Sequence, residues 1–218
     1  MQFTKEALVA DTTFLQADLR EREETDRQIS FWLAFLLGIL TLGLYSYYVI
    51  WQLVSRRDRH FRRIARLAED ATVYLRARAE AAGTDIGERL VRLEAAQRPL
   101  RESAAERGAL IWTILCFVSQ GVGSFVLWYV LMADFRQHEQ QEEQLVSVTN
   151  EALVALGENP GLVSHPQVPE RSYWLYLFLT IITLGLFSVY WYYCLIEDPN
   201  RHFGAQAEWE ARLVRAAG

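Results

Sequence analysis

Long apolar blocks alternate along this chain with stretches that are rich in charge. Three blocks, at residues 31–54, 109–133 and 173–196, contain no Asp, Glu, Lys, Arg or His. A helix crosses the hydrocarbon core of a bilayer in roughly 20 residues, so each block has the length of one transmembrane helix. The pattern therefore predicts an all-α integral membrane protein with three transmembrane helices.

The first and third blocks are copies of one another. Residues 31–61 align with residues 173–203 without a gap, and 14 of the 31 positions are identical. Both copies carry Thr-Leu-Gly-Leu near the middle and Arg-His-Phe at the end. An identity of this extent indicates an internal repeat.

The middle block resembles the third block more weakly, since Gly121, Ser124 and His138 match Gly185, Ser188 and His202. We interpret it as a diverged copy, with convergent membrane composition as the alternative. Small and hydroxylated side chains allow helices to pack closely in membranes. The residues predicted to serve the repeat motif and helix packing are Thr41, Gly43, Ser46, Tyr48, Gly121, Ser124, Thr183, Gly185, Ser188 and Tyr190.

The connector at residues 55–108 is predicted to form an antiparallel helical hairpin. Apolar residues recur at three- and four-residue steps in both of its halves, and Gly83-Thr84 separates the halves. The stripe residues that we expect to bind a partner are Ile64, Leu67, Leu75, Leu90 and Leu93. Amphipathic or charged helices are predicted to flank the blocks at residues 1–30, 134–172 and 197–218, and the second of these segments includes a proline-containing linker.

Arginine is distributed unevenly between the two connectors. Residues 55–108 contain 13 arginines, whereas residues 134–172 contain two. The positive-inside rule then predicts a cytoplasmic hairpin at 55–108 and an extracytoplasmic connector at 134–172. The N-terminus would lie outside the cell membrane and the C-terminus in the cytoplasm. The alternative is that each Thr-Leu-Gly breaks its helix and the block is a re-entrant hairpin.

The Arg-His-Phe run that follows each close copy is the sharpest short signal in the chain. We interpret it as an anchor at the membrane interface, formed by Arg59, His60, Phe61, Arg201, His202 and Phe203. The alternative is that His60, His202 and His138 bind a metal or haem. The predicted topology places His138 on the opposite side, and no Cys, Asp or second His stands three or four residues after His60 or His202. We therefore predict no metal and no cofactor.

Charge and motifs narrow the class of function. The net charge of −5 argues against a nucleic-acid-binding protein, and the chain contains no P-loop, nucleophile elbow or dinucleotide fingerprint. We predict a non-enzymatic structural or accessory subunit whose partners are the lipid bilayer and another membrane protein or a second copy of itself. A homo-oligomeric channel or small-molecule transporter is the alternative.

The two runs Thr41-Leu42-Gly43-Leu44-Tyr45 and Thr183-Leu184-Gly185-Leu186-Phe187 lie in apolar blocks that end in aromatic residues. This pattern resembles a prokaryotic membrane family with a TLGxY motif, the domain of unknown function DUF4234. The exit at residues 198–203 is also similar, whereas the middle block departs from the motif. The resemblance implies a prokaryotic membrane location and no particular activity.

Overall fold

A computed structural model describes residues 5–217, with side chains described from residue 13 onward. The first four residues of the predicted N-terminal segment lie outside this range. The described part is all-helical, which confirms the predicted fold class at that level. Its helices are α1 (Lys5–Thr25), α2 (Phe31–Leu40), α3 (Leu44–Ala82), α4 (Gly87–Ser103), α5 (Ala109–Val118), α6 (Val122–Ala155), α7 (Tyr173–Ile182) and α8 (Leu186–Ala217).

Each apolar block contains a short helix and the start of a long one, joined by a three-residue turn. The short helices α2, α5 and α7 all have ten residues. Each packs against the long helix that follows it, as α2 does on α3, α5 on α6 and α7 on α8. The block is therefore a helical hairpin and not the single straight helix that we predicted, and the middle block has the same form as the other two.

The turn depends on two residues in the left-handed region of backbone space. Leu42 and Gly43 have φ values of 51° and 93°, and Leu184 and Gly185 repeat these at 53° and 93°. Glycine adopts such values without the steric cost that a Cβ atom brings. The Gly43 N–H donates to the Gly38 carbonyl at 2.7 Å, and the Gly185 N–H donates to that of Thr180 at 2.8 Å. These bonds reverse the chain direction.

The threonine of the motif repairs the backbone bonding that the turn interrupts. The Thr41 hydroxyl donates to the Leu37 carbonyl and accepts from the Tyr45 N–H at 2.9 Å. Thr183 makes the same pair of bonds, to Leu179 and from Phe187. One side chain thus satisfies an acceptor at the end of one helix and a donor at the start of the next.

The three hairpins form a closed ring. Helix α2 packs between α3 and α8, and α5 packs between α6 and α3. Helix α7 lies on α8 and reaches α6 through Tyr173 and Tyr129, whose ring centroids are 5.1 Å apart. Each short helix therefore contacts its own long helix and the long helix of a neighbouring hairpin, and the arrangement is approximately threefold.

One repeated position on the long helices connects each hairpin to the next. The Asp58 carboxylate of α3 accepts from the Arg107 and Gly108 N–H groups that precede α5. At the equivalent position of α8, the Asn200 amide exchanges two hydrogen bonds with Ile29, which precedes α2. The third equivalent, Arg136 of α6, donates to the Val168 carbonyl in the segment that precedes α7. The residue at this position therefore forms a hydrogen bond with the segment that leads into the next short helix, and this occurs three times around the ring.

Helix α8 continues through Pro199 from the apolar block into the tail, so the predicted boundary at residue 197 is not a break. Proline has no N–H, which leaves the carbonyl four residues earlier without its helical donor. The Arg56 guanidinium of α3 donates to that carbonyl, of Leu195, at 3.0 Å and to the Ile196 carbonyl at 3.1 Å. A neighbouring long helix, α3, therefore supplies a bond to the carbonyl that proline leaves without a donor.

The two connectors pack against each other. Helix α4 lies along α6, and Arg92 of α4 forms a salt bridge of 2.6 Å with Glu151 of α6. Helix α1 packs on both α3 and α8. The two connectors, which we predicted to lie on opposite sides of a membrane, therefore contact each other in this structure, since the chain returns to the same end of the bundle after every hairpin.

The length and apolar content of the helices bear on the predicted spans. Every helix within residues 5–217 is either too short or too polar to cross a bilayer.

Candidate functional site

Three histidines, one from each long helix, meet at the centre of the bundle. The ring centroid of His60 lies 5.2 Å from that of His138 and 5.3 Å from that of His202. The rings of His138 and His202 are 5.9 Å apart, and all three residues are buried. The prediction that His138 lies on the opposite side from the other two is wrong, because the hairpins return the chain to this end each time.

A carboxylate completes the group. Glu142 follows His138 by one helical turn, and its Oε2 atom lies 3.8 Å from His138 Nε2 and 3.3 Å from His202 Nε2. One potential ligand atom from each of the four residues lies within 4.8 Å of the others. These four residues, called the His₃Glu cluster below, could hold a metal ion.

Further polar side chains hold the His₃Glu cluster in orientation. The Asp26 carboxylate lies 2.8 Å from His60 Nδ1, and the Glu139 carboxylate lies 3.2 Å from His202 Nδ1. The Trp209 indole N–H donates to Glu142 Oε1 at 2.7 Å. In His60, His202 and Glu142, the polar atom that faces away from the centre therefore has a hydrogen-bond partner. The polar atom that faces the other members of the cluster remains free to bind a ligand.

The arginine Arg63 joins two buried acids beside the cluster. Its guanidinium lies 2.7 Å from the Asp26 carboxylate and 2.8 Å from that of Glu210. Burial raises the pKa of Glu210 to about 7 even though Arg63 opposes the rise. Burial alone would raise the pKa of Asp26 as well, but His60 and Arg63 hold it below its usual value.

The histidines differ in protonation. Burial lowers the pKa of His60, and burial together with the neighbouring imidazoles lowers the pKa of His138 well below its usual value. Burial acts on His202 in the same direction, but Glu142 and Glu139 outweigh it and raise the pKa of His202 to about 10. In the metal-free chain these shifts favour neutral imidazoles at His60 and His138 and an imidazolium at His202.

The predicted interfacial anchor divides into buried and exposed members. His60, Phe61, His202 and Phe203 are all buried within the bundle. In this structure they therefore cannot contact lipid headgroups, which is the contact that we predicted for them. Burial follows because the histidine and phenylalanine of each run face the inside of the bundle. Arg59 is half-buried, and the exposed Arg201 pairs with Asp198 at 3.5 Å.

The residues predicted to bind a partner also pack inside the chain. Ile64, Leu67, Leu75 and Leu93 are buried in the core that α3, α4, α6 and α8 share, and Leu90 is partly buried against it. The two stripes of the 55–108 connector therefore meet each other and the long helices. Their role as a free partner surface is wrong in this structure, since the partner is the chain's own bundle.

The small residues of the repeat motif lie at the turns and between the hairpins. Thr41, Gly43, Gly121, Thr183 and Gly185 form or flank the turns. One serine from each hairpin lines a cavity of about 300 Å³ between them, which brings together Ser46, Ser124 and Ser188. The aromatic rings of Tyr48 and Tyr190 remain partly exposed.

One spacing in the sequence already points to the His₃Glu cluster, although we predicted no metal. Glu142 stands four residues after His138, which places both side chains on one face of a helix. The prediction considered only the residues one turn after His60 and His202, and it set His138 aside because the predicted topology placed it on the opposite side. Asp26, Glu139 and Trp209 could not be identified from the sequence, because their roles depend on the packing of distant helices.

A family model matches the segment that contains the third hairpin. Residues 171–214 match the domain of unknown function DUF4234, which supports the predicted resemblance over that segment. The matched segment contains α7, its turn and most of α8, including His202. No curated protein matches the chain, and no solved structure does so either.

Proposed function

We propose that the protein is a non-enzymatic structural or accessory subunit that inserts three re-entrant hairpins into one leaflet of a membrane. The observation that carries the proposal is the exposure of large apolar side chains on the hairpins. Leu42 and Leu184, at the two close turns, are each 95 % exposed. Contiguous apolar surface of this kind marks a site of contact with lipid or with another protein.

The length of the hairpins supports insertion to half the depth of a bilayer. A ten-residue helix such as α2 is about 15 Å long, and the hydrocarbon core of a bilayer is about 30 Å thick. Hairpins of this length would end near the middle of the bilayer. Their backbone groups are bonded within the hairpins and by the Thr41 and Thr183 hydroxyls, as the hydrocarbon region requires.

The ends of the hairpins favour the same orientation. Trp32 and Trp174 stand at equivalent positions near the start of α2 and α7, and both are largely exposed. Tryptophan is enriched where a membrane meets water. With the turns inward and the tryptophans at the interface, all charged helices would lie on one face of the membrane. A channel has less support, because hairpins of this depth do not connect the two faces.

We also propose that the three hairpins are copies of one family unit. The family match covers the third copy, and the first copy shares 14 of 31 aligned residues with it. Turn torsions support the middle copy, since Gln120 and Gly121 have φ values of 52° and 91°. A fused three-unit ring suits an assembly role, because it presents one rigid polar bundle above the membrane.

Cysteine labelling in sealed native vesicles tests the membrane arrangement. Cys116 and Cys194 are first replaced by alanine, and single cysteines are placed at the exposed positions Glu88 and His165. One-leaflet insertion predicts that an impermeant maleimide labels both positions from the same side. Labelling from opposite sides would contradict it. The mass of the gently extracted protein then tests assembly, because a lone monomer would contradict the subunit role.

A further inference from the structure

The His₃Glu cluster contains several nitrogen and oxygen atoms that form no hydrogen bond within the protein. His60 Nε2, both ring nitrogens of His138, His202 Nε2 and Glu142 Oε2 are buried and form no hydrogen bond. The closest approach, 3.3 Å between His202 Nε2 and Glu142 Oε2, does not have hydrogen-bond geometry. A buried polar group without a partner costs free energy that folding must offset. So many at one point indicate a missing ligand.

We propose that the cluster is a closed zinc site in which His60, His138, His202 and Glu142 are the four protein ligands. Imidazole nitrogen and carboxylate oxygen are both ordinary zinc ligands. Four ligands at about 2.0–2.1 Å in a tetrahedron stand about 3.3 Å apart. The present atoms lie within 4.8 Å of one another, so small side-chain movements would bring them to the ion.

The outer contacts match those that orient ligands in metal sites. A metal-binding histidine usually donates its second ring N–H to a carboxylate or carbonyl. Asp26 is placed to accept from His60 Nδ1 and Glu139 from His202 Nδ1, which directs Nε2 of each ring to the centre. The Trp209 indole occupies the outer oxygen of Glu142 and leaves Oε2 for the ion.

The donor set selects among cations. Calcium and magnesium prefer shells made of oxygen atoms, so three imidazoles argue against them. Imidazole suits zinc and other divalent transition metals, and tetrahedral four-coordination is typical of structural zinc. The four side chains are 4 % exposed or less. A site with four protein ligands and no access to solvent would hold its ion for stability, not for catalysis.

A buried salt bridge is the competing explanation. An imidazolium at His202 paired with Glu139 and Glu142 accounts for the contacts of those three residues. It leaves His60 Nε2 and both nitrogens of His138 without partners. A zinc ion accounts for all four residues at once. It also links the three repeats, because α3, α6 and α8 each contribute one histidine.

The metal content of the purified, untagged chain tests the proposal. After removal of adventitious metal with a weak chelator and re-equilibration with Zn²⁺, we expect about one zinc per chain, as for a structural site. The variants His138→Gln and Glu142→Gln should contain at least tenfold less. His165→Ala, which removes an exposed histidine of the linker, should retain the full content. Equal content in all four proteins would overturn the proposal.

Two further measurements protect the test against misfolded variants. X-ray absorption of the zinc-loaded wild-type chain should show nitrogen and oxygen ligands without sulfur, and a sulfur shell would overturn the assignment in favour of the cysteines. Asp26→Asn keeps the shape of the site, and we expect it to weaken zinc binding about 10- to 100-fold through His60. Wild-type protein that takes up no zinc would also overturn the proposal.

Discussion

Two regions of the molecule, the hairpin turns and the middle of α3, depart from the usual burial pattern, because the first exposes apolar side chains and the second buries charged ones. At the hairpin end, Leu42 and Leu184 are almost fully exposed. In the middle of α3, Arg56, Arg57 and Arg63 are each 1 % exposed or less. Charged residues are almost never fully buried in proteins unless they are paired. Each region is therefore stable only in a particular environment, which is apolar around the turns and supplies polar partners to the buried charges within the bundle.

Substitutions in these two regions are expected to affect stability for different reasons. Among the buried charges of α3, a single substitution destabilises the protein because the partner residue is then left unpaired in the interior. At the hairpin end an apolar side chain makes few contacts within the protein, so the backbone conformation of the turn matters more than side-chain packing. The following predictions separate these reasons.

The largest effect should come from the buried arginine that joins two acids. Arg63→Met leaves Asp26 and Glu210 without their cation, and removal of one partner of a buried pair typically costs about 3–5 kcal/mol. Chemical denaturation in detergent measures the loss. The control, Arg66→Met, removes a half-exposed arginine that pairs with Glu21, and we expect it to cost about 1 kcal/mol or less. Equal losses would refute the contrast.

A second prediction concerns the turn of the third hairpin. Gly185 has a φ of 93° with open space around the position of a Cβ atom, so Gly185→Ala should destabilise the protein by about 1–2 kcal/mol through backbone strain alone. Gly204 lies within α8 with equally open space and no positive φ. There, Gly204→Ala should stabilise the protein by up to about 1 kcal/mol. Thermal unfolding of both variants gives the two signs, and the same sign for both would show that the turn is not strained.

A smaller effect is expected at the contact between α1 and α3. Burial and the neighbouring Asp70 carboxylate raise the pKa of Asp18 to about 7, although Arg66 and Arg63 oppose the rise. Because the folded form holds this proton more tightly than the unfolded chain does, its contribution is full below pH 4 and is lost as the pH rises through 7.

Asp18→Asn removes this titration, since the amide stays neutral. We expect the variant to be more stable than the wild-type protein by about 1 kcal/mol at pH 8 and to lose the advantage at pH 4. Unfolding at the two pH values measures the difference. An advantage that is the same at both pH values would show that Asp18 does not carry the effect.

Much of the fold could be read from the sequence, but the direction of the chain could not. The starts of the three blocks, at which α2, α5 and α7 begin, and the helix stop at Gly83 follow from composition and local rules, and Gly83 caps α3 with a φ of 64°. The turn at Thr41 was only the alternative to a straight helix, because the same three residues are compatible with a continuous helix. Its cause is the double bonding of the threonine hydroxyl, which needs the turn itself to form.

The wrong prediction of chain direction also led to a wrong prediction for the His₃Glu cluster. The arginine count separated the connectors, and this separation placed His138 away from His60 and His202. In the structure, many arginines of the 55–108 connector pair within the bundle, such as Arg92 with Glu151. Their number therefore reflects pairing between helices. The Arg-His-Phe run gives no local sign of burial, since its composition also suits a membrane interface.

The most direct test of the account measures whether α4 and α6 lie together in native membranes. Single cysteines replace Arg92 and Glu151 in a chain without Cys116 and Cys194, and a short bismaleimide is added to sealed vesicles. The hairpin arrangement predicts an intramolecular cross-link, because these side chains form a salt bridge of 2.6 Å. Each single-cysteine variant serves as the control. If both sites react with maleimide from opposite sides and no cross-link forms, the chain crosses the membrane and the account is wrong.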